Sequence, residues 1–180
     1  MPPVGLLLHY PAVNLTRSGS LSRLIFSHDP ILNYQTMNCV LSCYLGEKEK
    51  DAATDPLISP LFASDEVLSQ FPPTVISVGD VDPLIDDSTS LFLRLRTLHR
   101  RSILRITGTL PHGFLNLGGQ LPKANTVIKD GGTYMKWLVD QYHNTLDENS
   151  VSEEDLSEEP EPEPERKSSK SKLLRRPAEF

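Results

Sequence analysis

The chain opens on an apolar run, Val4–Tyr10 (VGLLLHY), halted by Pro11, which predicts a short buried strand. Ile31–Leu45 is apolar over a length that no ordinary strand reaches, so it predicts a helix buried on most sides. Gly46–Asp55 (GEKEKDAATD) then reads as a polar connection. Thr74–Val78 (TVISV) is β-branched and bounded by Pro72-Pro73 and Gly79, the mark of a buried strand. Leu84, Ser88, Leu91, Phe92, Leu95 and Leu98 recur at helical spacing. Pro83 suits the first turn of that helix, with Asp82 as N-cap and Asp86 and Asp87 near its positive end. Ser102–Ile106 (SILRI) alternates and predicts another strand. Strand, helix, strand over 74–106 is a βαβ unit, with parallel strands and a right-handed crossover. A last helix is predicted over roughly Ala124–Tyr142, weakened at Gly131 and Gly132 by about 1 kcal/mol each relative to alanine. The order of elements places the chain in the α/β class.

Composition changes this picture at the end of the chain. Residues 1–146 carry 12 Lys/Arg against 13 Asp/Glu, whereas residues 147–180 carry 6 against 11. A near-neutral body lacks the cationic excess that phosphate neutralisation needs, so nucleic acid is not an expected partner. Asp147–Glu165 holds ten acids and no base, and Arg166–Arg176 then holds six bases and no acid. This reading divides the chain into a folded part, 1–146, and a disordered acidic-then-basic tail, 147–180. Within the tail, Arg166 precedes Ser169 by three residues, a pattern basophilic kinases prefer. No run approaches the roughly 20 apolar residues of a membrane span. The start lacks the pattern of a secretory leader, and the expected location is the cytoplasm. Cys39 and Cys43, one helical turn apart, read as two reduced, buried thiols. The five histidines are scattered without an i,i+4 pair, and no Gly-rich phosphate loop occurs, so neither a metal nor a nucleotide cofactor is expected.

In open α/β sheets, functional groups gather at the carboxyl ends of the strands. Gly79–Pro83 (GDVDP) follows the first strand of the βαβ unit and Leu110–Phe114 (LPHGF) follows the second. Asp82 and His112 therefore stand where neighbouring strand tips would let them meet. A carboxylate holding the Nδ1–H of an imidazole fixes its tautomer and leaves Nε2 to take a proton from a hydroxyl nucleophile. Each has a plainer reading, Asp82 as a helix cap and His112 as a turn residue. Asp80, Asp86 and Asp87 are rival acids, ranked lower because carboxylates are expected at a helix start.

GDVDPLIDDS followed by LPHGFLNL resembles the hormone-sensitive-lipase group of the α/β-hydrolases. The likeness extends to LLLHYPAVNL (6–15), HDPIL (28–32) and ISPLFASDEVLSQFPP (58–73), and covers about residues 4–143. DPLIDDS, LRLRTL and LPHGFL come close to the animal lipase of that group. The resemblance implies the C-terminal part of an α/β-hydrolase fold, incomplete at its N-terminus, with Asp82 as the acid and His112 as the base. It further implies hydrolysis of carboxylic esters of lipids, such as acylglycerols and cholesteryl esters. The setting would be the cytosol and the lipid-droplet surface, with residues 16–45 near the acyl-binding region.

The sequence departs from that pattern in two places. A nucleophile elbow reads G-x-S-x-G, yet none of the ten glycines has Ser two positions on. The His-Gly-Gly type of oxyanion loop is absent as well. The resemblance to the animal lipase implies a long Ser-rich regulatory insertion here, but this sequence has only the short Gly46–Asp55, so phosphorylation control of that kind is not expected. An Asp–His pair has no group with which to form an acyl-enzyme, so the chain alone is expected to have little or no esterase activity. Half a sheet would also leave Leu6–His9 on an open edge, to be covered by further polypeptide, a partner or an oligomer. The alternative is a truncated or non-catalytic hydrolase-like protein that acts by binding a partner.

Overall fold

The structure is a computed structural model that describes residues 3–17 and 20–151. Strands β1 (Leu6–His9), β2 (Thr74–Gly79) and β3 (Ser102–Thr107) form a parallel sheet in the order β1-β2-β3. The helices are α1 (Leu21–Ile25), α2 (Tyr34–Leu45), α3 (Asp65–Leu68), α4 (Ile85–Thr97) and α5 (Pro122–Val151), with 3-10 turns at Gly46–Asp51, Pro60–Phe62 and Phe114–Leu117. Register aligns Leu8, Ile76 and Leu104 across the three strands. Side chains alternate across a sheet, so these three share one face, packed with Val13, Leu68, Leu91 and Leu95. On the other side Gly5 lies against α5, where an added Cβ would come 2.8 Å from Leu138. All six residues of β2 are buried. The expected βαβ unit is present with both strand pairs parallel, and β1 pairs only with β2 among the described residues.

Several local expectations are corrected. The helix predicted over Ile31–Leu45 begins at Tyr34, where Asn33 Oδ1 accepts the Thr36 N–H at 3.0 Å. It is not buried on most sides. Only Leu41 and Leu45 are buried, packed with Ala52 and Ile58, while Val40 and Tyr44 are 54% and 71% exposed. A dense apolar composition conceals that one row of the helix meets the core. Cys39 and Cys43 lie off that row and are exposed rather than buried. Asp82 is not the residue adjoining the helix. Helix α4 begins at Ile85, with Pro83 ahead of it; the Asp82 carbonyl accepts the Ile85 N–H at 3.1 Å. Helix α5 starts at Pro122 and runs through Gly131 and Gly132 to Val151, beyond the predicted end at Tyr142. The expected tail beyond Val151, including Ser169, lies outside the described residues.

The second sheet face carries two buried, unpartnered polar atoms. His9 is directly opposite Ser77, and neither the His9 Nδ1 nor the Ser77 Oγ, both buried, has a hydrogen-bond partner among the described residues. Burial disfavours the imidazolium and pushes the His9 pKa below the usual histidine value of 6.5. The unfolded chain then takes up protons first as pH falls, so stability is lost below about pH 6.5. The urea midpoint of the protein is expected to drop between pH 7.5 and 5.5 by more than that of a His9→Gln variant. Equal drops in the two proteins would contradict this assignment.

Candidate active site

The loops that follow β2 and β3 are pressed together by a missing side chain. A Cβ on Gly79 would lie 1.8 Å from the Leu110 carbonyl oxygen, so only glycine allows this approach. Asp80 then accepts the Thr109 N–H, and Lys123 Nζ donates to Gly108 O at 3.0 Å and to Thr109 Oγ1 at 2.9 Å. Together these contacts fold the loop after β3 back over the end of β2.

This arrangement brings Asp82 and His112 together. Asp82 is fully buried, and its Oδ1 accepts the Leu84 N–H at 2.8 Å. His112 Nδ1 lies 3.2 Å from Asp82 Oδ1 and 3.1 Å from Oδ2. A fully buried, ionised carboxylate can only accept hydrogen bonds, so the contact calls for the proton on Nδ1. The His112 side chain is 17% exposed, and Nε2 makes no hydrogen bond among the described residues. The base loop turns at Gly113, in the left-handed region at φ +66°.

Tyr10, just past β1, packs its ring edge-on to the imidazole, with centroids 4.7 Å apart, and to Phe114 at 5.1 Å. Its backbone is held at φ +38°, a conformation costly for a side-chain-bearing residue and one found disproportionately at functional sites. Burial and then the charge of Asp82 raise the phenol pKa above its usual 10.0, so the ring stays neutral beside the pair.

The rival acids have other partners. Asp86 Oδ2 accepts the Ser22 N–H at 2.9 Å. Asp87 is buried against Arg23, with Nη2 2.9 Å from Oδ1, and its Oδ2 also accepts the Val13 and Asn14 N–H groups at 3.1 and 2.9 Å. Asp80 serves the loop contact described above. Two residues at the site carried no functional assignment in the sequence, Tyr10 and Asp29. Asp29 is buried and its Oδ2 accepts the His112 N–H at 2.9 Å. Its sequence signals are the Asp-Pro turn dipeptide at 29–30 and its place in the HDPIL stretch of the family likeness, neither of which assigns it a role.

A cleft of about 250 Å³ is walled by Val81 and Pro111, the chain neighbours of Asp82 and His112, and by Ile25, Phe26, His28, Asp29 and Pro30. No seryl hydroxyl among the described residues hydrogen-bonds to His112. The described residues also hold no group of three or more potential metal ligands, and no helix among them is long and apolar enough to cross a membrane. With Nδ1 held by a buried acid and Nε2 unengaged, the partly exposed imidazole can take a proton from a hydroxyl brought to it.

The chain is similar to known proteins of one fold family. The family model described as the alpha/beta hydrolase fold matches residues 1–116. An esterase of Fusarium pseudograminearum is 40% identical over 94 residues, covering 52% of this chain and 28% of that esterase. The hormone-sensitive lipase of Homo sapiens is 46% identical over 63 residues, 35% of this chain and 6% of the lipase. Among solved structures, carboxyl esterase 2 of the mycorrhizal fungus Tuber melanosporum superimposes with a TM-score of 0.70 at 27% identity, over 77% of this chain and 46% of that one. The chain thus spans less than half the length of each of these relatives.

Proposed function

Because the chain belongs to the alpha/beta hydrolase fold family, with the model matched over residues 1–116, we propose that it supplies the acid and the base of a serine carboxylic ester hydrolase. The observation that carries the reading is the contact of His112 Nδ1 with the buried Asp82 carboxylate, 3.1 Å long, with Nε2 left unengaged. The seryl nucleophile and its oxyanion hole come from polypeptide that these 180 residues do not contain, since none of the ten glycines has Ser two positions on. In the completed site the serine hydroxyl attacks the ester carbonyl and His112 Nε2 takes its proton. The same nitrogen returns that proton to the departing alcohol, and water then repeats the sequence on the acyl-enzyme. Asp82 stays ionised and stabilises the imidazolium.

The proposed substrates are esters of lipids, acylglycerols and cholesteryl esters among them. The apolar walls of the cleft support this. So does an apolar row beside it: Leu21, Leu24 and Ile25 of α1 are 67%, 62% and 61% exposed. That row suits peripheral contact with a lipid-droplet or membrane surface from the cytosolic side. The absent nucleophile favours a second reading, a non-catalytic chain acting through a partner on the open β1 edge.

Hydrolysis of p-nitrophenyl butyrate separates the two. The chain alone is expected to show no cleavage above buffer. The same chain completed by the polypeptide of the Fusarium esterase that it does not match, which on this reading supplies the serine, is expected to cleave it. A folded chimera without activity would leave only the partner-binding reading. Activity in the chain alone that is lost on His112→Ala would disprove the need for an outside serine.

A further inference from the structure

Deepening the reading of His112 as base, and resting on it, the structure assigns Asp29 as a positioning residue of the base loop. Asp29 is 6% exposed and makes no ion pair among the described residues. Its charge is met instead by three backbone N–H groups. Oδ1 accepts from Ile31 at 2.8 Å and from Leu32 at 2.7 Å, which closes the turn it sits in. Oδ2 reaches across 83 residues of sequence to accept the His112 N–H at 2.9 Å. Hydrogen bonds to an ionised acceptor are about twice as strong as neutral ones, and a buried carboxylate left with an unfilled lone pair is costly. One oxygen thus shapes the turn and the other ties that turn to the peptide of the base.

A second contact joins the same two loops. A Cβ on Gly113 would lie 3.1 Å from Ile31 Cδ1, so the left-handed glycine after the base is roofed by the turn that Asp29 organises. His112 is consequently gripped twice. Asp82 holds the ring at Nδ1, and Asp29 holds the main chain from which the ring hangs. With the peptide fixed, only two side-chain torsions remain, and the Tyr10 ring at 4.7 Å restricts them. Reaction rates are sensitive to such placement, since an error of about 1 Å can cost about 10²-fold. Asp29 also walls the cleft, so the group that steadies the base bounds the space an ester would fill.

The chemistry of the residue supplies a selective test. Asparagine has one carbonyl oxygen, enough for the turn to Ile31 and Leu32, but its amide would face the His112 N–H donor to donor. In the 180-residue chain, Asp29→Asn is expected to accelerate hydrogen exchange at the His112 amide at least tenfold and to broaden the Nδ1 proton resonance. Asp55→Asn is the control, because Asp55 Oδ1 accepts the Leu57 N–H in a comparable turn away from the site; it should change neither. In the serine-completed chimera, Asp29→Asn should lower kcat 10- to 100-fold with KM within fivefold, since asparagine keeps the shape of aspartate in the cleft wall. Exchange and resonance both unchanged within twofold would overturn the assignment. If Asp29→Asn loses the native circular dichroism, the unsubstituted chain decides: a His112 amide protected at least a hundredfold supports the assignment, and one exchanging at the free-peptide rate overturns it. A wild-type chimera without activity removes the hydrolase reading, while the exchange data still decide the role of Asp29.

Discussion

His112→Ala in the serine-completed enzyme is expected to lower kcat for p-nitrophenyl butyrate by about 10⁶-fold, as loss of the base does in serine hydrolases generally. No other group replaces it: Nε2 is the only ring nitrogen left to accept the seryl proton once Nδ1 faces Asp82. Asp82→Asn should cost about 10⁴-fold by a different route. An amide at position 82 can present its NH₂ to Nδ1. That moves the imidazole proton to Nε2, so the nitrogen facing the serine becomes a donor. Neither residue is a wall of the apolar cleft, so KM should change less than fivefold in both variants. Steady-state kinetics with matched circular dichroism spectra check this. A loss smaller than tenfold for His112→Ala would show that the proton goes elsewhere.

Arg23→Met is expected to destabilise the protein by about 3–5 kcal/mol, the range for removing one partner of a buried ion pair. Arg23 and Asp87 have side chains 8% and 1% exposed. The guanidinium also donates to Thr16 O at 2.9 Å and to Asn14 O, while Asp87 holds the Val13 and Asn14 N–H groups. The pair therefore fastens the segment after β1 to the first turns of α4. Burial already pushes the Asp87 carboxyl above its usual pKa, against the opposing pull of Arg23 and of the two N–H groups. Removing the cation moves it higher. A folded-state pKa above the unfolded one means that the native state binds the extra proton, so stability is greater at low pH and is lost as pH rises through the folded pKa. Arg23→Met should recover part of its deficit between pH 7 and pH 5 in urea titrations, and adding Asp87→Asn should recover part of it at pH 7. A deficit below 1 kcal/mol would mean that solvent reaches the pair.

The strands were legible because their boundaries are chemical. Pro72-Pro73 and Gly79 enclose TVISV, and β2 occupies Thr74–Gly79. The contact of Asp82 with His112 was legible because each follows a strand of one βαβ unit, and their separation of 30 positions holds a helix and a strand. The side-chain environment of α2 was not. Composition counts apolar residues but does not tell which row faces inward, so Val40, Tyr44 and both cysteines turned out exposed. Arg23 and Asp29 were beyond reach for another reason. Their partners, Asp87 and His112, lie 64 and 83 residues away, and only the assembled fold decides that they meet. Tyr10 is similar: nothing local announces a tyrosine at positive φ, which persists because two rings and the Ser77 carbonyl hold it there.

The two members of the pair hang from unequal supports. Asp82 follows β2, flanked by a strand on each side and shielded at every residue. His112 follows β3, an outer strand on which Arg105 and Ile106 are open to solvent. Opening fluctuations cluster at exposed segments, so any loosening of the pair is expected first on the side of the base, where the ties from Asp82 and Asp29 oppose it. Jitter in their separation is then governed by how firmly the outer strand and its loop are tethered, and changes far from either side chain, along β3 or the roofing turn, will register first as a loosened histidine.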